Sequence, residues 1–451
     1  MSNNYRIVIL FGDYVVNLLC HIVDLRENMK NVRIHITELG PIREQEIQLA
    51  PMMLFTGDSN LGKSYTNFLC YYVFNLSVSD RLDEFLQPRM LGYTDKVDKF
   101  SFSIKKDDLR LWMESDVRRF MAYLLAYQDI NCNVHFYFDD APDVMNVDIE
   151  EHSVDDKDVK SIPVSVRVDD QEISFRAILG DKKADVLRWI KFRLMRELTG
   201  ETVISSLLMP PGRASLLSGS FTTQKGSSKM GLYEIFLGDN DMINFRGLKM
   251  ASMKEEQQFF LSRIRKLIGG DFVFGQNGLE LKLPTGQLIP IEAAASSIKE
   301  LAPILVWIKG SNTMQYDSIC IEEPEAHCHP LMQSQLADLL VACVNKGALM
   351  QITTHSDYLL KRLNQLLRLH DWQIEHPERY NIFCKTFEHT RSLTLNKDKI
   401  KAYYFHYSEE ERTTKIELQD LSGGIPFDSF AHIIDNEMAF DDFWEGEHEN
   451  L

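Results

Sequence analysis

The chain has 451 residues, 44% of them hydrophobic, and sets 49 Lys and Arg against 66 Asp and Glu for a formal net charge of −17. That length fits two or three ordinary domains or one enlarged head. The charge excludes a generic polyanion binder, because nucleic-acid contact would need a local basic face working against the overall field. The seven cysteines form no C-x-x-C pair and read as reduced thiols of a cytoplasmic protein.

The first apolar stretch, "RIVILFGDYVVNLLCHIV", is broken by Gly12 and Asp13. It predicts a strand and then a helix, not a signal peptide or a membrane span. "NVRIHITELGPIREQEIQL" predicts two strands around a turn at Gly40 and Pro41. Met52 to Phe55 then reads as a short buried strand. It runs into "GDSNLGKS", which spells G-x-x-x-x-G-K-S from Gly57 to Ser64.

The chemistry of that spelling is specific. Gly57 and Gly62 let the backbone curl through Asp58, Ser59, Asn60 and Leu61, so that N–H groups point at phosphate oxygens. Lys63 would reach the β- and γ-phosphates, and Ser64 would ligate Mg²⁺. "KSYTNFLCYYVFNL" has apolar spacing suited to a helix, whose N-terminus favours anions. The loop therefore predicts ATP and Mg²⁺ as cofactors. The bland alternative is a glycine turn that binds nothing.

Further along, residues 107–128 predict a helix, and the acidic stretch 139–158 reads as an exposed loop. "SVRVDDQEISFRAIL" predicts a hairpin turning at Asp169 and Asp170. A basic amphipathic helix is expected over residues 182–198, with Lys182, Lys183, Arg188, Lys191, Arg193 and Arg196. It reads either as a solvated face or as a DNA-binding face, to which Arg263, Arg265 and Lys266 would add if they shared that face. A further helix is expected over residues 253–268, then short strands, then helix–strand alternation from residue 293.

That alternation holds the second chemical signal. In "YDSICIEEPEAHCHP" a buried strand ends in Glu322 and Glu323. One carboxylate there can hold the hydration shell of Mg²⁺, and its neighbour can orient the attacking water. In "LMQITTHSDYLL" a second apolar strand delivers His355 to the same sheet edge.

The phosphate loop, the E-E-P-E-A-H-x-H-P run and I-T-T-H-S together resemble the ABC-type ATPase heads of the AAA-15/AAA-21 and OLD-like group, relatives of the RecF and SMC heads. "LLMPPGRASLL", "IPIEAAASSIKELAPILVWI" and the segment near Ala402 to Phe405 extend the resemblance. It implies an α/β fold: a P-loop NTPase head of ABC type with a mixed central sheet, an antiparallel β element and an inserted mainly helical region. The expected division is an N-terminal lobe over residues 1–100, an inserted lid or arm over 101–290, and a C-terminal lobe over 291–451.

The resemblance also implies ATP sandwiched between two heads. Ser296 and Ser297 then take the signature role toward the other head's γ-phosphate, Glu322 the metal role, Glu323 the catalytic role and His355 the switch role. "LSGG" at Leu421 to Gly424 copies a transporter signature but follows the acidic strand, so it reads as a glycine turn. His327 and His329 are adjacent turn residues and a poor metal pair.

The function expected is an ATPase whose head dimerisation controls a partner, in phage defence or DNA maintenance. The alternatives are a slowly hydrolysing scaffold that sequesters a toxin or nuclease effector, and a DNA clamp. The expected partners are a second copy and a separately encoded effector protein; DNA and a higher oligomer stay open, and no membrane is involved. "HIIDNEMAFDDFWEGEHENL" has carboxylates without a nuclease arrangement, so any nuclease is expected on another chain.

Overall fold

The computed structural model describes residues 29–94, 97–152, 161–169, 171–178, 180–217, 231–248, 255–275, 278–311, 314–387 and 389–426. The strand and helix expected before residue 29 and the acidic segment from His432 lie outside the described residues. Two compact units share the chain, and both are discontinuous in sequence. One takes residues 1–32, 74–113 and 136–204; the other takes 33–73, 114–135 and 205–451.

A nine-stranded sheet runs in the order Cys132–Phe138, Val32–Leu39, Ile42–Gln48, Thr413–Leu418, Ile400–Ser408, Met52–Gly57, Leu349–Thr353, Asp317–Glu322, Ser205–Met209. The sheet is mixed. Val32–Leu39 pairs antiparallel with Ile42–Gln48, as the Gly40 turn predicts. Ile400–Ser408 through Ser205–Met209 form a parallel block of five strands. Parallel strands covered on both faces need continuous apolar runs. The sequence complies, because Met52–Gly57, Asp317–Glu322, Leu349–Thr353 and Ser205–Met209 are buried at every position.

The helices of this larger unit are amphipathic segments that cover those strands. Ser296–Gly310 and Pro330–Asn345 bury Leu301, Leu305, Trp307, Leu336, Leu339 and Leu340 in one core with Ile319, Ile321 and Ile352. The register aligns the carboxyl ends of the parallel block: Phe55 pairs with Thr353, Thr353 with Glu322, and Ile321 with Met209. Four loops therefore leave from one sheet edge, the position where open α/β sheets bind ligands. A small antiparallel sheet, Asp271–Gly275, Gly278–Lys282 and Leu288–Pro290, completes the described strands of this unit.

The other unit carries a four-stranded antiparallel sheet: Lys99–Lys105, Val144–Glu151, Ser161–Val168 and Gln171–Ile178. Ser161–Val168 and Gln171–Ile178 form the expected hairpin, with Val168 opposite Gln171 and Asp169 at a φ of 48°. Two expectations are corrected here. Residues 144–151 are not an exposed loop but a strand. Met145, Val147 and Ile149 alternate with polar residues and fill one face, a period of two hidden by the acidic composition.

The helix Lys182–Thr199 is neither a solvated basic face nor a free DNA face. Lys182, Lys191, Arg193 and Arg196 are buried. Lys182 pairs with Glu151 at 2.8 Å, and Lys191 pairs with Asp83 at 2.8 Å. Arg193 donates to the Glu172 carbonyl at 3.3 Å, and Arg188 pairs with Asp185 at 2.9 Å. In the larger unit Arg263 pairs with Asp338 at 3.1 Å and Arg265 with Asp271 at 2.9 Å.

Candidate nucleotide site

The phosphate loop leaves the strand Met52–Gly57 and enters the helix Lys63–Asn75. Gly57, Asn60 and Gly62 all hold positive φ, at 106°, 63° and 92°. Glycine is required at the first because a Cβ there would sit 2.1 Å from the carbonyl oxygen of Phe405. Asn is among the few other residues that tolerate the left-handed region.

Lys63 is buried, and its ammonium donates to the carbonyls of Gly57, at 2.9 Å, and Asp58. Among the described residues no carboxylate lies within 4.0 Å of it. Burial pulls its pKa down to about 8, against the pull of Asp58, Glu323 and Glu322. A buried ammonium held only by neutral acceptors is a ready receptor for a polyanion.

Ser64 joins the loop to the acidic strand. Its hydroxyl donates to Glu322, whose other carboxylate oxygen accepts from Asn67 at 2.6 Å. Glu322 is buried, which raises its pKa despite these two donors, and Glu323 beside it adds to the rise. A hydroxyl and a carboxylate oxygen meeting beside a phosphate loop are the hard-oxygen donors that Mg²⁺ takes, with water and phosphate completing its shell. The residues thus fit the expected ion.

Glu323, half-buried, has a φ of 44°, a costly conformation for a residue with a side chain. It is clamped from both sides. Its N–H donates to the Thr353 carbonyl at 3.1 Å, and its own carbonyl accepts from Arg213 at 3.2 Å.

His355, on the loop after Leu349–Thr353, has an exposed side chain. Desolvation and the Lys63 charge lower its pKa, while Glu323 and Asp58 work in the opposite sense. Lys63, Asp58, Glu323 and His355 thus share one electrostatic neighbourhood. Glu325 holds the histidine's loop in place, accepting from the Thr354 hydroxyl at 2.7 Å and the His355 N–H at 2.8 Å.

Ser296 and Ser297 open the helix Ser296–Gly310, with Ser296 exposed and Ser297 half-buried. The structure places them at a helix N-terminus, as the sequence predicts, and gives them no bond to the loop of their own chain. "LSGG" forms a turn in which Gly424 has a φ of 101° and leaves room for Asn364, whose side chain bonds Ile425. His329 caps the helix Pro330–Asn345 by accepting from the Leu331 N–H at 3.3 Å, and His327 sits in a left-handed turn.

Residues 234–360 match the family model of the AAA ATPase domain. The matched segment contains Ser296, Ser297, the acidic strand and His355, while the phosphate loop precedes it in sequence. No curated protein matches the chain. Among solved structures it is similar to an SMC head domain from Thermotoga maritima, at 8% identity and a TM-score of 0.35, covering 87% of this chain and 100% of that one. An SMC head with an extended coiled coil, bound to the C-terminal domain of ScpA derived from Pyrococcus furiosus, gives 11% identity, a TM-score of 0.37 and coverage of 91% and 99%. An SMC head bound to the C-winged helix domain of ScpA gives 11%, 0.36, and 88% and 98%.

Sequence reasoning did not single out Asn67, Glu325 or Glu300. Asn67 was accessible in principle, as a polar residue one helical turn after Ser64 and just before the apolar run Phe68 to Phe74. The others meet their partners only through the fold.

Proposed function

We propose that the chain binds ATP with Mg²⁺ at the phosphate loop and hydrolyses it, and that head dimerisation couples this cycle to a separately encoded protein. The observation that carries the reading is the Ser64–Glu322 hydrogen bond beside a buried Lys63 free of any bonded carboxylate. Lys63 would hold the β- and γ-phosphates. Ser64 and Glu322 would hold Mg²⁺, which supplies charge neutralisation for phosphoryl transfer. Glu323 would orient and polarise the water, and His355, largely neutral near pH 7, would contact the γ-phosphate and that water. Ser296 and Ser297 would contact the nucleotide of a second copy, since they stand at a helix N-terminus with Ser296 exposed and Ser297 half-buried.

A protein partner is favoured over DNA by the net charge of −17 and by the ion-paired state of the basic helix. No helix among the described residues is long and apolar enough to cross a membrane. The biological setting we propose is the one the resemblance implies, phage defence or DNA maintenance.

Mixing tests the shared site. A Lys63→Ala chain combined with a Ser296→Ala/Ser297→Ala chain should regain up to half of the parent ATPase activity, from one intact composite site per mixed dimer. No recovery in proven mixed dimers would show that the serines serve their own subunit or none.

A further inference from the structure

Arg213 is fully buried, at 0% exposure, in the short helix Arg213–Leu217. A guanidinium keeps its charge and must be satisfied there. One edge of it bonds backbone: Nη1 donates to the carbonyls of Pro210 and Glu322, each at 2.7 Å, and Nη2 donates to that of Glu323 at 3.2 Å. Its Nε donates to the Glu300 carbonyl at 3.0 Å and lies 3.4 Å from the Glu300 carboxylate. The other Glu300 oxygen accepts from the Ala214 N–H at 3.1 Å.

Glu300 is one helical turn into Ser296–Gly310, the helix that opens with the paired serines. The far end of that helix is anchored to the same acidic strand, where Trp307 Nε1 donates to Asp317 at 2.8 Å. Pro303, which cannot donate a helical hydrogen bond, lies between the two anchors. The near anchor ends on the backbone of the left-handed Glu323.

We propose that Arg213, held by Glu300, is a positioning residue that links the serine-bearing helix to the Glu322–Glu323 backbone, so that a second copy's nucleotide on Ser296 and Ser297 sets the placement of the Glu323 carboxylate. This rests on the ATPase reading above. A fixed fork suits the role, because it bonds the carbonyls of Glu322 and Glu323 while its Nε bonds the Glu300 carbonyl and pairs with the Glu300 carboxylate at 3.4 Å. A lysine ammonium lacks that geometry. A shift at the helix N-terminus then reaches Glu323 through two rigid contacts, without passing through the phosphate loop. Hydrolysis at one site is then faster when the opposite site is filled, and a mixed dimer with a single intact composite site keeps the slower, uncoupled rate.

Glu300→Gln tests the link while keeping an oxygen for the Ala214 N–H, and Arg213→Lys is the second variant. In folded protein, the nucleotide affinity of each should stay within about twofold of the parent. Hydrolysis at saturating ATP should fall at least about tenfold, on the scale of losing a positioned group. The dependence of rate on ATP should lose its cooperativity. Combining Glu300→Gln with Ser296→Ala/Ser297→Ala should lose no more than the serine variant alone, since groups acting as one unit are non-additive.

Unchanged saturated rates in both variants, or losses that simply add to those of the serine variant, overturn the link and leave the ATPase reading standing. A loss of nucleotide affinity and thermal midpoint in proportion to rate assigns Arg213 a purely structural role and also overturns it. A parent chain that binds but never hydrolyses ATP overturns the ATPase reading, and the link falls with it.

Discussion

The phosphate loop and the basic helix both bury lysines, yet the two regions bury them differently. Lys182 and Lys191 each meet a carboxylate at 2.8 Å. Lys63 meets only backbone carbonyls and follows a loop with positive φ at Gly57, Asn60 and Gly62. A paired buried cation has spent its charge on the fold, whereas one left to neutral acceptors can take a ligand. Basic residues in sequence therefore say little about binding until their partners are known. Five of the six cations of the helix are buried or ion-paired, and Lys63 is held by neutral acceptors alone.

The largest effect should come from removing the unpaired lysine. Two charge-assisted bonds to phosphate are each worth about 1.5–3 kcal/mol, so Lys63→Ala should weaken Mg²⁺-dependent binding of a labelled ATP analogue about 10³-fold. Equilibrium dialysis showing undiminished binding would erase the contrast between the two regions. Next comes Glu323→Gln, which should retain ATP and lower hydrolysis by about 10²-fold or more, the scale of a positioned base. If Glu322→Gln instead traps ATP while Glu323→Gln turns over normally, the roles of the two carboxylates are exchanged.

The structural lysine should act on stability alone. Lys191→Ala leaves Asp83 without its 2.8 Å partner. Because Asp83 is partly solvated, the loss should be about 2 kcal/mol rather than the full penalty of a buried orphan. Denaturant unfolding reads it, and ATP binding should not change. An unaltered midpoint would mean that the pair contributes nothing.

A gentler test uses pH. With burial holding empty Lys63 near a pKa of about 8, a bound polyphosphate must raise that pKa, so binding takes up a proton above pH 8. Nucleotide affinity should be flat below about pH 8 and fall up to about tenfold per pH unit above it. Calorimetry in buffers of different ionisation enthalpy would detect the proton. A flat profile to pH 10 would show that Lys63 is charged throughout.

Local chemistry made much of this fold legible. The phosphate loop, the buried strands that end in Glu322 and Thr353, and the serine pair at a helix start are all short-range patterns. Each needs only neighbouring residues to declare its geometry: glycines for positive φ, apolar runs for buried strands, and a run of helix formers after small polar residues. The strand at 144–151 shows the limit, since its period of two is also local but lies inside an acidic stretch that reads as solvated.

Pairing across sequence distance was beyond the sequence. That Glu322 meets Ser64 and Asn67, that Arg213 bridges Glu300 to Glu323, and that four cations of one helix are buried depends on which strands align and which helices cover them. Burial and partner choice are tertiary properties, because the desolvation that makes an ion pair or an unpaired lysine consequential exists only once the chain has closed around it. The sequence by itself determined which groups could do chemistry, and the fold decided which of them remain free to do it.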